Sequence, residues 1–276
     1  PRVAFGVPGV LMLIATVVFW MGRNYFAHIP PAGEGFLREL TSPTGRSLLL
    51  RLFGLVLFIS VFWSLYEQNS SAWVLQAERM DRTFLGVSWL APQITAINPI
   101  LVLVFIPLNS YVIYPALVRL FPLTSLRKIS IGFVFAVLTY LMSAYIELRL
   151  DQGAHMNIGW QVMAYVLLTF AEVLIYGTGL EFFYSQAPNR MKSFVMALFL
   201  LSISLGNGIT ALVNLVIQDA RGVSRLSGPT YYLFFAALMA VTTLGFVVYA
   251  SRYRERRYVQ GAASETLDTE TPAVSP

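Results

Sequence analysis

Cysteine is absent from the 276 residues, and histidine occurs only as His28 and His155, in separate polar segments. The first absence excludes a disulfide framework and a thiolate metal site. The second leaves no ligand cluster for a metal centre, and no cofactor of any kind is expected. Charge is also scarce: 12% of residues are Asp, Glu, Lys or Arg, where a soluble domain carries about a quarter. In its place stand 57% hydrophobic residues and a mean hydropathy of +0.65. This is the composition of a membrane protein. The net charge of +5 then reads as loop charge at a membrane surface, and no nucleic-acid partner is expected.

Seven apolar segments stand out: Val3–Met21, Leu48–Trp73, Gln93–Leu117, Ile129–Ile146, Trp160–Phe183, Phe194–Ile217 and Tyr231–Ala250. Most reach the roughly 20 helical residues that cross a bilayer core. None alternates as a barrel strand does, and an open strand would leave backbone groups unsatisfied in lipid. The spans are therefore helices. If they alternate, one side collects Arg23, Arg38, Arg46, Arg51, Arg119, Arg127, Lys128, Arg190, Lys192, Arg252, Arg254, Arg256 and Arg257. The excess of positive charge assigns that side, and the C-terminus, to the cytoplasm. The chain begins at Pro1 and enters a span at once, so it is expected to be part of a longer protein. Gly22–Gly45, rich in Gly, Pro and charge, reads as a linker. The tail GAASETLDTETPAVSP has no apolar periodicity and is expected to be disordered.

Two carboxylates fall within the apolar stretches. Glu67 lies near the end of the second, in FWSLYEQNSSAW, and Glu172 in the middle of the fifth. An ionisable group in hydrocarbon costs several kcal/mol and normally faces a protein interior or a wet cavity. Trp63, Glu67 and Ser71 share one helical stripe; Tyr165, Thr169, Glu172 and Tyr176 form another. Glu67 has a plainer reading, a helix end that has already reached the headgroups. Glu172 has one as a structural, hydrogen-bonded acid. Glu181, nearer the cytoplasmic end, reads either as an interfacial carboxylate or as a gating group. Gly177 and Gly179 follow the Glu172 stripe and suit a moving element. Asn98-Pro99 and Pro107 are kink points, and Ser204, Asn207, Thr210 and Asn214 share a face whose plainer reading is helix packing. Spans two to four and five to seven each begin with a Glu-bearing helix. Their entry from opposite sides is the pattern of an inverted three-helix repeat.

FWSLYEQNSSAWVLQA resembles the seventh-helix signature of the proton-dependent oligopeptide transporters, the peptide/nitrate transporter family. AEVLIYGTGLEFFYSQAPNRMKSFVMALFLLSISLGN is similar to that family's tenth- and eleventh-helix block, and AFGVPGVLMLIATVVFWMGRNYF to its sixth helix. The resemblance runs from about Ala4 to Ala250. It implies an all-α major facilitator fold, of which this chain holds helix six and the C-terminal six-helix half. The implied divisions are 1–22 as the last helix of the N-terminal half, 23–47 as a cytoplasmic linker, 48–254 as the C-terminal half and 255–276 as a cytoplasmic tail. At matching positions it implies that Glu172 receives the amino group of a bound peptide and that Glu67 takes part in proton coupling or gating. It also implies that Trp63 and Asn98 line the central cavity. Phe199 stands where peptide-carrying members often have tryptophan. The family's Glu-x-x-Glu-Arg motif of the first helix has no counterpart here.

The resulting expectation is a multi-pass protein, most simply of the plasma membrane. It acts as a proton-coupled symporter of small peptides or related polar solutes by alternating access. The substrate site comprises Glu172, Trp63, Asn98, Tyr176 and Phe199; coupling or gating falls to Glu67, Glu172 and Glu181. Its partners are the solute, protons, membrane lipid and the N-terminal half. A seven-helix receptor fits the span count and orientation as an alternative. An intramembrane enzyme finds no site constellation in the sequence.

Overall fold

The computed structural model describes residues 2–26, 33–217 and 226–253; the tail read as disordered lies outside them. Two compact units divide the chain, residues 1–38 and 39–276. In the first, α1 (Arg2–Met21) is a single helix. It is apolar on every side, which is the pattern of a helix meant for lipid or for burial.

The second unit is a helical bundle. Its elements are α2 (Glu34–Thr41, which straddles the boundary), α3 (Pro43–Tyr66), α4 (Ala72–Glu78), α5 (Ile97–Leu108), α6 (Tyr114–Val118), α7 (Ser125–Asp151), α8 (Gly159–Glu172), α9 (Thr178–Gln186), α10 (Lys192–Ile217) and α11 (Pro229–Arg252). Among the described residues seven helices or helix pairs are long and apolar enough to cross a membrane. They are Phe5–Asn24, Pro43–Glu78, Ala91–Val118, Ser125–Asp151, Gly159–Gln186, Lys192–Ile217 and Pro229–Arg252. Each expected span is present, with ends that differ by a few residues. The largest differences are at the second and fourth. The second begins at Pro43, inside the stretch read as linker, because Ser42 caps it by accepting from Gly45 N at 3.0 Å and Pro43 occupies its first turn. The fourth runs on to Asp151, past the apolar limit at Ile146.

α7 packs chiefly on α11 and α8, α10 on α3, and α5 on α8. Exchanging the triple α3, α5–α6, α7 for the triple α8–α9, α10, α11 turns the α3–α10 pair into α8–α5 and the α7–α8 pair into α11–α3. All of these pairs pack, so the two triples make equivalent contacts.

Three spans are broken helices. α3 tightens into a 3-10 turn over Glu67–Ser70 before α4. α5 passes through a π turn, Asn109–Ile113, just beyond Pro107, and α8 passes through another, Val173–Gly177. Irregular backbone at membrane depth persists only where protein or a wet cavity satisfies it. Around the α3 break, donors arrive from four neighbouring helices. Thr210 Oγ1 of α10 reaches Ser64 O at 2.9 Å, and Tyr140 Oη of α7 reaches Leu65 O at 2.6 Å. Tyr165 Oη of α8 reaches Asn69 O at 3.2 Å, Gln161 Nε2 of α8 reaches Trp73 O at 2.8 Å, and Tyr232 Oη of α11 reaches Ala72 O at 3.2 Å. A short hairpin, β1 (Thr83–Phe84) and β2 (Val87–Ser88), follows α4.

Candidate functional site

The site is built at two helix breaks, one that Glu67 opens and one that follows Glu172. Glu172 is the last residue of α8 before its π turn, about 20 Å along the helix from Gly159 at 1.5 Å per residue. Its carboxylate is held from two other helices. Asn98, in the first turn of α5, donates from Nδ2 to Oε2 at 2.7 Å, and Tyr66, the last residue of α3, lies with its hydroxyl 3.1 Å from Oε1. Asn98 Nδ2 also lies 3.0 Å from Thr169 Oγ1, one turn back on α8. Glu172, Asn98 and Tyr66 are each half-buried, so the cluster opens on one side.

Glu67 begins the 3-10 turn, next in the chain to Tyr66. The span continues to Glu78, about 17 Å further on. Glu67 therefore lies where α3 gives way to the 3-10 turn, inside the longer apolar span and not at its end. The continuous α-helical stripe through Ser71 is not formed either: the tighter turn intervenes and Ser71 is exposed. Glu67 is half-buried, and among the described residues its carboxylate accepts no hydrogen bond.

An aromatic wall adjoins the acids. Trp63 meets Tyr66 edge-on at 5.1 Å between ring centroids and Tyr176 at 5.7 Å, and Tyr176 meets Phe199 at 5.7 Å. Trp63 and Phe199 are buried, Tyr176 half-buried. Gly179 is required by this wall, because a Cβ there would stand 2.8 Å from the Phe199 ring. Its role in the structure is close packing. The expected residues Glu172, Asn98, Trp63, Tyr176 and Phe199 thus form one connected surface. Glu181 does not join it: it is exposed on α9, nine positions beyond Glu172, or about 13 Å along the axis.

Sequence reasoning passed over two groups. Tyr66 sits beside Glu67 in the quoted motif, and that adjacency was the signal that could have found it. Glu147 is buried in the last turns of α7, where it accepts from Gln76 Nε2 at 2.8 Å and pairs with Arg79; Arg79 Nη2 also reaches Asp151 Oδ1 at 2.6 Å. The signal for it was the acid one residue past the apolar limit. On α10, Thr210 and Asn214 make interhelical bonds, the latter accepting from Tyr231 Oη at 3.2 Å, whereas Ser204 and Asn207 are exposed.

A bundle of broken apolar helices whose two triples make equivalent contacts, holding an acid at mid-span between three helices, is that of a multi-pass integral membrane protein of the major facilitator fold. The chain belongs to the POT family, whose model matches residues 2–42 and 35–231. It is 33% identical over 185 residues to peptide transporter family 1 of Drosophila melanogaster, covering 55% of this chain and 25% of that protein. It is 32% identical over 207 residues to solute carrier family 15 member 2 of Homo sapiens, covering 61% and 28%. Among solved structures, an auto-inhibited POT family peptide transporter superposes with a TM-score of 0.78 at 30% identity, over 94% of this chain and 66% of that one. A second POT family transporter gives 0.76 at 29% identity, over 90% and 64%. The chain spans about a quarter of the length of these two curated relatives. The relatives are transporters by name, a class distinct from enzymes.

Proposed function

We propose that the complete protein carries small peptides, or polar solutes bearing an ammonium group, in symport with protons by alternating access. In this reading residues 48–254 are the C-terminal half, 1–22 the last helix of the N-terminal half, 23–47 the cytoplasmic linker and 255–276 a cytoplasmic tail, in the plasma membrane. The observation that carries it is the placement of Glu172: a carboxylate at mid-span, oriented by Asn98 and Tyr66, half-open to one side and backed by the Trp63–Tyr176–Phe199 wall.

Such a group suits an ammonium ion. The carboxylate supplies charge, and the aromatic faces stabilise the cation and the apolar side chain beside it. Burial favours the neutral acid and a cation favours the anion, so substrate binding and proton binding at one carboxyl are linked. Glu67, with no hydrogen-bond donor on its carboxylate among the described residues, is the second proton site in this scheme, and Glu181 a gating group at the cytoplasmic end. Each change of charge biases one packing of the two halves over the other.

The test uses the full-length protein in lipid vesicles under an inward proton gradient. Glu172→Gln abolishes gradient-driven alanyl-alanine uptake if the reading is right. Unchanged uptake with unchanged proton dependence in this variant refutes it.

A further inference from the structure

Glu172, Asn98 and Tyr66 close a ring. Tyr66 Oη lies 3.1 Å from Glu172 Oε1, Glu172 Oε2 accepts from Asn98 Nδ2 at 2.7 Å, and Asn98 Oδ1 lies 3.3 Å from Tyr66 Oη. The second amide hydrogen of Asn98 is taken up by Thr169 Oγ1 at 3.0 Å. The three corners come from α3, α5 and α8. A phenol carries one hydrogen, and here it has two acceptors in range.

Counting hydrogens gives two arrangements. With Glu172 ionised, its carboxylate accepts from both Tyr66 and Asn98. Asn98 Oδ1 then has no donor within the ring. When a proton from water in the cleft binds Oε1, the new O–H donates to Tyr66 Oη. The phenol hydrogen turns to Asn98 Oδ1, and Asn98 Nδ2 still donates to Oε2. Every link then has one donor and one acceptor. Loss of the proton to water reverses both moves.

We propose that Tyr66 is a positioning residue whose hydroxyl acts as a rotor, donating to Glu172 when that acid is ionised and to Asn98 when it is protonated. Each time Glu172 takes up a proton, the rotor reverses the direction of the α3–α8 hydrogen bond and adds one between α3 and α5. It also sets when the site accepts a cation. Only with Glu172 ionised is Asn98 Oδ1 left open, half-exposed beside the carboxylate, to take a second hydrogen from a substrate ammonium. This inference rests on the symport reading for its use of the ammonium, but the ring itself does not.

The groups facing Glu172 are few. Tyr66 approaches from the end of α3, and Glu67 is the acid next to it in the chain. α5 contributes neutral Asn98. α7, which also packs on α8, carries its charges at its two ends: Arg127 and Lys128 at one, Glu147, Arg149 and Asp151 at the other. The state of the rotor is therefore set by Glu172, with Glu67 as the modulator.

Difference infrared spectroscopy on the full-length protein in vesicles reads both partners. The carboxylic C=O band lost in Glu172→Gln identifies protonated Glu172, and the phenol C–O band lost in Tyr66→Phe identifies the rotor. The expected result is that the phenol band shifts with the same pH midpoint as the carboxylic band. In Tyr66→Phe the carboxylic band should move to the position of an acid lacking an acceptor. A phenol band indifferent to the protonation of Glu172 overturns the rotor. Should Tyr66→Phe fail to fold, Asn98→Ser reads the ring from its opposite corner: on acidification the phenol band then no longer reaches the position of a phenol that donates to an amide oxygen, and an unaltered shift overturns the proposal.

Transport adds a second readout. In Tyr66→Phe the ratio of proton-driven alanyl-alanine uptake to alanyl-alanine exchange should fall about tenfold, the effect of losing roughly one hydrogen bond in one state of the cycle. A merely structural role lowers both fluxes, leaves their ratio unchanged and overturns the rotor. Coupled bands in a protein that carries no peptide would sink the symport reading and leave the rotor standing. Glu172-dependent uptake with an indifferent phenol band does the reverse.

Discussion

Gln76 in α4 donates to Glu147 in α7 across 2.8 Å, 71 positions away in sequence. The carboxylate is buried, and its other oxygen pairs with Arg79, which extends on to Asp151. Gln161 Nε2 of α8 lies 3.4 Å from Gln76 Oε1. The short helix after the α3 break is thereby fastened to the ends of α7 and α8. Removing one partner of a buried ion pair costs about 3–5 kcal/mol. Arg79 is 45% exposed, and solvent screening reduces this to about 1–2 kcal/mol. Arg79→Ala should lower the thermal unfolding midpoint of the full-length protein, and Arg79→Ala with Glu147→Gln should recover part of the loss. A double variant no more stable than the single one would show that the charge of Glu147 is not what Arg79 compensates.

Tyr140 is fully buried and holds Leu65 O at 2.6 Å, next to the residue where α3 ends. Tyr140→Phe keeps the ring packing and removes that donor. The expected cost is about 1–3 kcal/mol, with faster hydrogen exchange at residues 64–70, read by mass spectrometry. Unchanged exchange there would mean that Tyr140 does not hold the break.

The contact of α10 with α3 depends on Gly206. A Cβ there would stand 2.6 Å from Trp63 Cβ, 2.7 Å from Ser60 O and 2.9 Å from Ser64 N, and two of these atoms are backbone. Gly206→Ala should destabilise by about 1–3 kcal/mol, the usual cost of overpacking, and should weaken substrate binding by shifting Trp63. Gly208 meets nothing within 4 Å, so Gly208→Ala in the same helix is the control. Equal effects from both would point to helix α10 as a whole and away from this crossing.

Asp81 joins the loops at one end of the bundle. Its backbone bonds with Met156 O at 2.9 Å and Ile158 N at 2.8 Å, and its carboxylate accepts from Thr83 N at 3.0 Å and Asn157 Nδ2 at 3.1 Å. The Thr83 amide, then the Asn157 side chain, hold its carboxyl below the usual carboxylate range. A depressed folded value stabilises above the unfolded pKa, about 3.9, and the stabilisation is lost as pH falls through the folded value. Limited proteolysis of residues 81–90 should therefore accelerate on acidification below about pH 4, and Asp81→Asn should remove that acid-dependent step. A step that persists in Asp81→Asn belongs to another group.

Much was legible because lipid allows so few structures. An apolar run of bilayer length must be a helix, so seven runs foretold the seven candidate spans among the described residues. The stripe Tyr165, Thr169, Glu172, Tyr176 was readable because its first three members lie on regular helix before the π turn. The stripe through Ser71 failed because the 3-10 turn at Glu67 shifts the angular phase, which periodicity cannot foresee. Glu147 was missed because hydropathy ends a span at its last apolar residue, while the backbone stays helical for as long as its bonds are made. Tyr66 was missed because its partners are 32 and 106 positions away.

By itself the sequence determined which runs of this chain are apolar and long enough to cross a membrane, and which acids fall within them. Those properties follow from transfer energies that each segment pays alone, without reference to its neighbours. Tertiary structure decided which carboxyl is held and by what. Hydrogen bonds are short and directional, so Glu172 became a site only when Asn98 and Tyr66 were brought to it by α5 and α3.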